Sequence, residues 1–183
     1  WVFLGQRSTL KSPISSNLVM KTDRRPPEPM AGNPAISRRI LPPLWFLLML
    51  CLMLGLHTWL PMGQYIRAPW NFLGLALLSF GAFLGVVSAR SFLREGTGLV
   101  PFDEAKVVVT HGFFQYSRNP MYLGMALILL GTSGFLGSFS SLLPVPLFMV
   151  IIHRRFILAE EKFLEDAFGE AYLSYQASVR RWL

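Results

Sequence analysis

Cysteine is almost absent from this sequence. The one thiol, Cys51, lies inside an apolar run and is expected to be a small buried hydrophobe. A single cysteine supplies neither a disulfide framework nor a Cys-x-x-Cys metal pair. The sequence also has no His-x-x-x-His pair and no carboxylate cluster, so we expect no metal ion.

Acidic residues are scarce as well, with 10 Asp and Glu against 17 Lys and Arg, which gives a formal net charge of +7. The basic residues cluster in a few segments between long uncharged ones. This distribution is typical of a membrane protein with basic loops on one side, and it argues against nucleic acid as the partner. No serine–histidine–acid set with suitable spacing is visible. Gly96-x-Gly98 is not set in a strand–turn–helix unit, so it does not indicate a Rossmann nucleotide site.

Long apolar runs dominate what is present. The chain is 52% hydrophobic, with a mean hydropathy of +0.44. About 20 apolar residues span a bilayer core. The uncharged stretch from Met121 to Ile152 would be about 48 Å long as one helix, which favours a hairpin that turns between Gly131 and Ser141. We therefore predict four transmembrane helices, over about 41–60, 70–90, 120–135 and 139–157.

The predicted fold class is an all-α integral membrane protein with a C-terminal helical hairpin and a following cytosolic amphipathic helix. Residues 1–40 are basic and proline-rich and are predicted to be a disordered tail, whereas 41–183 form the membrane domain. Arg38 and Arg39 precede the first run and should hold both termini in the cytosol, with Arg67 alone on the far side. Gly81-x-x-x-Gly85 predicts a close helix contact, and Gly169 a break in the amphipathic helix.

The boundary between polar loop and apolar helix lies at Arg118-Asn119-Pro120. Proline suits the first turn of a helix, so a helix is predicted to begin near Pro120. Its free N–H groups beside the cation Arg118 predict an anion or polar-ligand site at the membrane surface. The alternative is that Arg118 snorkels, Asn119 caps the helix and Tyr122 is an interfacial aromatic.

Glu160 and Glu161 form a second polar feature, shortly after the last apolar run. One of these carboxylates is predicted to face a pocket and meet a cation or ribose hydroxyls, while Arg154 or Arg155 orients an anionic substrate. The alternative is a solvated helix start. His111 and His153 lie near both features and fit interfacial hydrogen bonding better than a catalytic base.

In combination and in this order, these segments resemble the isoprenylcysteine carboxyl methyltransferase family, its small bacterial members above all, with phospholipid N-methyltransferases as relatives. The resemblance covers roughly the C-terminal half. The matching segments are Gly96-Thr97 with Pro101, Val109-Thr110-x-Gly112-Phe113-Phe114, Arg118-Asn119-Pro120-Met121-Tyr122-Leu123-Gly124, Glu160-Glu161, and Phe168-Gly169-Glu170-x-Tyr172-x-x-Tyr175 with Val179 and Arg181.

The resemblance implies S-adenosylmethionine as methyl donor, bound in a cytosol-facing pocket without a Rossmann fold. It implies a cofactor site formed by Val109, Phe114, Arg118, Asn119, Pro120, Met121, Tyr122 and one of the two glutamates. Of these two, Glu160 is preferred over Glu161. It also implies an arginine that orients the substrate carboxylate, a role open to Arg154 or Arg155. Asn119 stands where the eukaryotic enzymes have His, which leaves prenylcysteine open as the substrate.

The expected function is methylation of a lipid-like or prenylcysteine-like acceptor drawn from the bilayer, with carboxyl O-methylation favoured over N- or S-methylation. A carboxylate is already ionised at pH 7 and needs no general base. The expected location is the bacterial inner membrane, or the endoplasmic reticulum in a eukaryote. Two alternatives stay open: an NADPH-dependent reductase of the sterol-reductase type, and a non-enzymatic membrane protein. The sequence does not give the oligomeric state.

Overall fold

A computed structural model describes residues 20–21, 41–60, 62–94 and 107–183. Its elements, in chain order, are β1 (Met20–Lys21), α1 (Pro42–Trp59), α2 (Leu73–Arg94), β2 (Val107–Val108), α3 (Pro120–Leu136), α4 (Phe139–Leu142), α5 (Pro144–Ile152), α6 (Leu158–Phe168) and α7 (Glu170–Ser178). The turns Trp70–Phe72 and Gly112–Gln115 are 3₁₀, and a π-helical turn, His153–Ile157, joins α5 to α6. The two short strands pair antiparallel, and the fold is otherwise helical over the described residues.

Three helical stretches are long and apolar enough to cross a membrane: Pro42–Trp59, Trp70–Ser91 and Phe139–Phe168. The third contains α4, α5, the π-helical turn and α6. The apolar helix α3 is shorter, with 17 residues, or about 25 Å at 1.5 Å per residue. The membrane character of the fold is thus confirmed, whereas the fourth span and the cytosolic amphipathic helix stay predictions.

Helices α2 and α3 pack antiparallel through glycines at seven-residue spacing. Gly74 lies against Gly131, and Gly81 against Gly124. A β-carbon on Gly81 would lie 2.7 Å from the backbone oxygen of Gly124, closer than a carbon atom can approach. The two backbones are therefore in direct contact, as small residues permit between helices in a membrane. This contact fixes the direction in which α3 leaves the loop that precedes it.

The principal core lies between α1, α3 and α5. Met49 and Met53 of α1 are buried against Leu129, Phe148 and Ile152. The opposite face of α1 is exposed and carries Leu44, Leu47, Leu48, Leu52 and Leu54. In a bilayer, that face would meet lipid chains.

Hydroxyl groups gather at the end of α3 remote from Pro120. Ser133 and Ser138 are buried. The hydroxyl of Tyr65 lies 3.0 Å from that of Ser133, and Nδ1 of His57 lies 2.8 Å from the hydroxyl of Ser138. Gly137 ends α3 with a positive φ of 70°. These contacts join the end of α1 and the loop after it to the end of α3 and the turn after it, and they close that end of the bundle.

Two expectations about the apolar runs were wrong. Cys51 is exposed rather than buried, because α1 turns only the side that carries Met49 and Met53 toward the protein. Gly131 does not mark the hairpin turn, since it lies within α3 and is used for contact with α2. Helix α3 ends at Leu136 and α4 begins at Phe139, so the turn itself lies where the predicted spans 120–135 and 139–157 place it. The disordered tail predicted over 1–40, apart from Met20 and Lys21, and the segment 96–101 lie outside the described residues, and the division into tail and membrane domain stays a prediction.

Candidate functional site

Helix α3 begins at Pro120, as predicted, and Asn119 occupies the N-cap position. The side chain of Asn119 makes no capping hydrogen bond; its amide Nδ2 instead donates to the carbonyl of Arg181 at 3.1 Å. Asn119 is 8% exposed and Pro120 is fully buried. The capping alternative for Asn119 is therefore wrong, and the amide is held by a contact remote in sequence.

Arg118 is turned into the protein and does not snorkel toward solvent. Its side chain is 9% exposed, and its Nη1 lies 3.1 Å from Oε1 of Glu161. Its Nε is buried and has no hydrogen-bond partner among the described residues. A buried donor without a partner is costly, so this atom is a natural point for a ligand acceptor.

Glu161 connects the loop before α3 to residues near the end of the chain. Besides Arg118, it accepts from Nε and Nη2 of Arg181, at 2.9 and 2.7 Å. This two-pronged contact is the strongest geometry that an arginine and a carboxylate can form. Both oxygens of Glu161 are thus engaged by cations.

Glu160, by contrast, meets α3. The hydroxyl of Tyr122, one turn into α3, donates to Oε2 of Glu160 at 3.2 Å. Tyr122 is 8% exposed, so the interpretation as an interfacial belt aromatic is wrong. The structure brings the start of α3 and the paired glutamates together, and of the two carboxylates Glu160 is the one with capacity left for a ligand.

Helix α7 forms the wall behind these groups. Tyr172 and Tyr175 are buried together with Val108, and the hydroxyl of Tyr175 donates to the carbonyl of Phe114 at 2.6 Å. Burial, with the nearby Glu161 carboxylate, raises the pKa of Tyr172 to about 12. Burial also raises the pKa of Tyr175. Both phenols are therefore neutral at pH 7 and act as fixed dipoles.

The remaining predicted residues divide into two groups. Val109 and Phe114 are buried close to this wall, and Met121 is half-buried at the start of α3. Arg154 and Arg155 are exposed on the π-helical turn, and the guanidinium of Arg155 lies 5.8 Å from the ring centre of Trp45 in α1. Neither of these two arginines is among the cations that contact Glu161, and their role with a substrate stays a prediction.

Sequence reasoning assigned no role to Arg181 or Ser117. Arg181 stood in the tail of the matching segments, but no periodicity links it to Glu161, 20 positions earlier. No local signal in the sequence pairs these two residues; only the fold brings Arg181 to Glu161.

A family described as phospholipid methyltransferase matches residues 70–171 of this chain. The match includes Val109, Phe114, the start of α3 and both glutamates. It ends before Tyr172, Tyr175 and Arg181.

Three relatives are similar to the chain. An uncharacterized protein from Haemophilus influenzae is 43% identical over 63 residues, which are 34% of this chain and all of that protein. Protein-S-isoprenylcysteine O-methyltransferase from Schizosaccharomyces pombe is 30% identical over 122 residues, 64% of this chain but only 43% of that enzyme. Protein-S-isoprenylcysteine O-methyltransferase A from Arabidopsis thaliana is 29% identical over 157 residues, 81% of this chain and 78% of that enzyme. No solved structure matches the chain significantly.

Proposed function

The chain belongs to the phospholipid methyltransferase family, and from that membership we propose that it is a membrane enzyme that uses S-adenosylmethionine to methylate a lipid-like or prenylcysteine-like acceptor. Carboxyl O-methylation is the favoured reaction, since both named relatives are O-methyltransferases of isoprenylcysteine. The bilayer is the proposed source of the acceptor.

The contact between Tyr122 and Glu160 carries this proposal. It joins the start of α3 to the glutamate pair, while Glu161 is already bound by two arginines. Glu160 can therefore accept hydrogen bonds from ribose hydroxyls or lie beside a cationic sulfonium. The buried Nε of Arg118 is a donor suited to a ligand carboxylate. These groups fit a nucleoside that carries an amino acid and a positive sulfur.

Methyl transfer from S-adenosylmethionine requires little more of the protein than this binding site. When bound, S-adenosylmethionine supplies an electrophilic methyl group on a sulfonium, which a nucleophile takes in line. The protein's part is to hold donor and acceptor close and aligned, which lowers the barrier by proximity. An acceptor carboxylate is ionised at pH 7 and needs no proton removed. The neutral phenols of Tyr172 and Tyr175 fit a site that positions groups rather than one that transfers protons.

We expect Glu160→Gln to weaken binding of S-adenosylhomocysteine by about ten-fold, because Gln keeps the shape but loses the charge-assisted hydrogen bonds. Asn119→Ala should weaken it as well. Isothermal titration of the purified protein in detergent measures both. The matched control is Glu165→Gln, since Glu165 is an exposed carboxylate in the same helix.

Three results would speak against the proposal. Wild-type protein that does not bind S-adenosylhomocysteine refutes the choice of donor. Binding that Glu160→Gln and Asn119→Ala leave unchanged refutes the site. Thermal stabilisation by NADPH in its place supports the reductase alternative. If the donor binds, labelled S-adenosylmethionine added to lipid extracts tests the acceptor.

The proposed site faces the cytosol, because the basic residues near it outnumber those at the other end of the bundle. We expect a membrane-impermeant maleimide, added to intact cells, to label a cysteine introduced at exposed Gln64 and to leave one at exposed Glu165 unlabelled. A Cys51→Ser background removes the native thiol. The reverse labelling pattern would invert the orientation.

A further inference from the structure

Residues 179–183, here called the strap, lie across the start of α3. Val179 follows α7 in an extended conformation, with φ −123° and ψ 132°. The backbone N–H of Arg118 donates to the carbonyl of Arg180 at 3.0 Å. The carbonyl of Arg181 accepts from Asn119 Nδ2 at 3.1 Å and from the hydroxyl of Ser117 at 3.4 Å. Three consecutive residues before Pro120 thus bond to the strap.

Side chains anchor the strap on both sides of these backbone contacts. The guanidinium of Arg181 donates two hydrogen bonds to Glu161 of α6, at 2.9 and 2.7 Å. The Trp182 side chain packs against the core that includes Tyr122 and Ile157. The strap therefore links α6, the loop before α3 and the core, and the Arg181 fork is its one charged anchor among the described residues.

We propose that Arg181 is a positioning residue for the methyl-donor site, acting through Asn119; this rests on the proposed function. The carbonyl of Arg181 takes the amide nitrogen of Asn119 as its donor. An asparagine amide has a donor end and an acceptor end. Fixing the nitrogen leaves the side-chain oxygen of Asn119 as the group that accepts from a ligand.

The charge on Arg181 sets how firmly this arrangement is held. If the guanidinium of Arg181 is removed, Glu161 keeps Arg118 as its cation, but the strap loses its link to α6. The carbonyl of Arg181 is then free to shift, and the Asn119 amide can rotate between orientations. A ligand must afterwards restore the order that the strap had supplied, which costs affinity.

The test is titration with S-adenosylhomocysteine of four variants in detergent. We expect Arg181→Ala to raise Kd by about ten-fold, and Arg181→Lys, which keeps the charge but not the fork, to raise it by about three-fold. Arg180→Ala should leave Kd unchanged, because only its backbone carbonyl is used and its side chain is exposed. Tyr65→Phe removes a contact at the opposite end of α3; it should lower the melting temperature without changing Kd.

A double-mutant cycle separates positioning from general stability. In the Asn119→Ala background, Arg181→Ala should raise Kd less than two-fold, since the group that it positions is gone. Full additivity of the two substitutions overturns the route through Asn119. If the wild-type protein binds S-adenosylhomocysteine and Arg181→Ala leaves Kd unchanged, the inference is overturned and the proposed function stands. Absence of wild-type binding overturns both. If Arg181→Ala does not fold, Arg181→Lys carries the same comparison.

Discussion

Glu161→Ala is expected to lower the free energy of unfolding by about 3–5 kcal/mol, the usual cost of removing one member of a buried ion pair. The side chains of Glu161 and Arg118 are each 9% exposed. Without the carboxylate, the Arg118 charge stays buried with no compensating anion from Glu161. Arg181 loses its two-pronged contact at the same time.

Thermal unfolding in detergent, followed by tryptophan fluorescence, measures this change. Glu165→Ala in the same helix is the control and should shift stability by no more than about 0.5 kcal/mol, as is usual for exposed positions. Equal melting temperatures for the two variants would show that the ion pairs around Glu161 do not hold the fold. Combining Glu161→Ala with Arg118→Met should recover part of the loss, because the buried charge is then removed as well.

Gly81→Ala is expected to destabilise the protein by about 2–3 kcal/mol, at the upper end of what overpacking costs. Its β-carbon would lie 2.7 Å from the oxygen of Gly124 and 2.9 Å from the nitrogen of Ile128. Both are backbone atoms and cannot rotate away. The helices α2 and α3 would have to separate, which disturbs the position of Pro120 and with it the site.

Gly85→Ala is a matched control, one turn further along α2. A β-carbon on Gly85 meets no atom within 4 Å, so the change should be neutral or slightly stabilising because alanine favours helix. Similar losses for the two variants in detergent unfolding would contradict the close contact seen at Gly81.

Local chemistry explains which parts of the fold could be predicted. The start of α3 at Pro120 follows from the missing N–H and fixed φ of proline. The break at Gly169, which has a φ of 55° between α6 and α7, follows from the conformational freedom of glycine. The close approach at Gly81 follows from its small size. Each of these depends on one residue and its neighbours.

The candidate site was predictable as a set of segments but not as a set of contacts. Asn119, Tyr122 and Glu160 were singled out; the structure brings Tyr122 into contact with Glu160, whereas Asn119 contacts the carbonyl of Arg181. Nothing local distinguishes Glu160 from Glu161; the difference arises because Arg118 and Arg181 reach only the second of them. Cys51 shows the same limit, since an apolar run does not say which side of a membrane helix meets protein.

The π-helical turn His153–Ile157 accommodates one residue more than a regular helical turn. Phe156 and Ile157 lie in this turn and are both buried, with exposed fractions of 2% and 0%. One extra residue turns the side chains that follow by about 100° about the helix axis, relative to an unbroken α-helix. When relatives are aligned to this chain, a gap of one position inside the turn would exchange the two glutamates. Which glutamate of a relative corresponds to Glu160 is therefore decided by comparing structures rather than by the alignment alone.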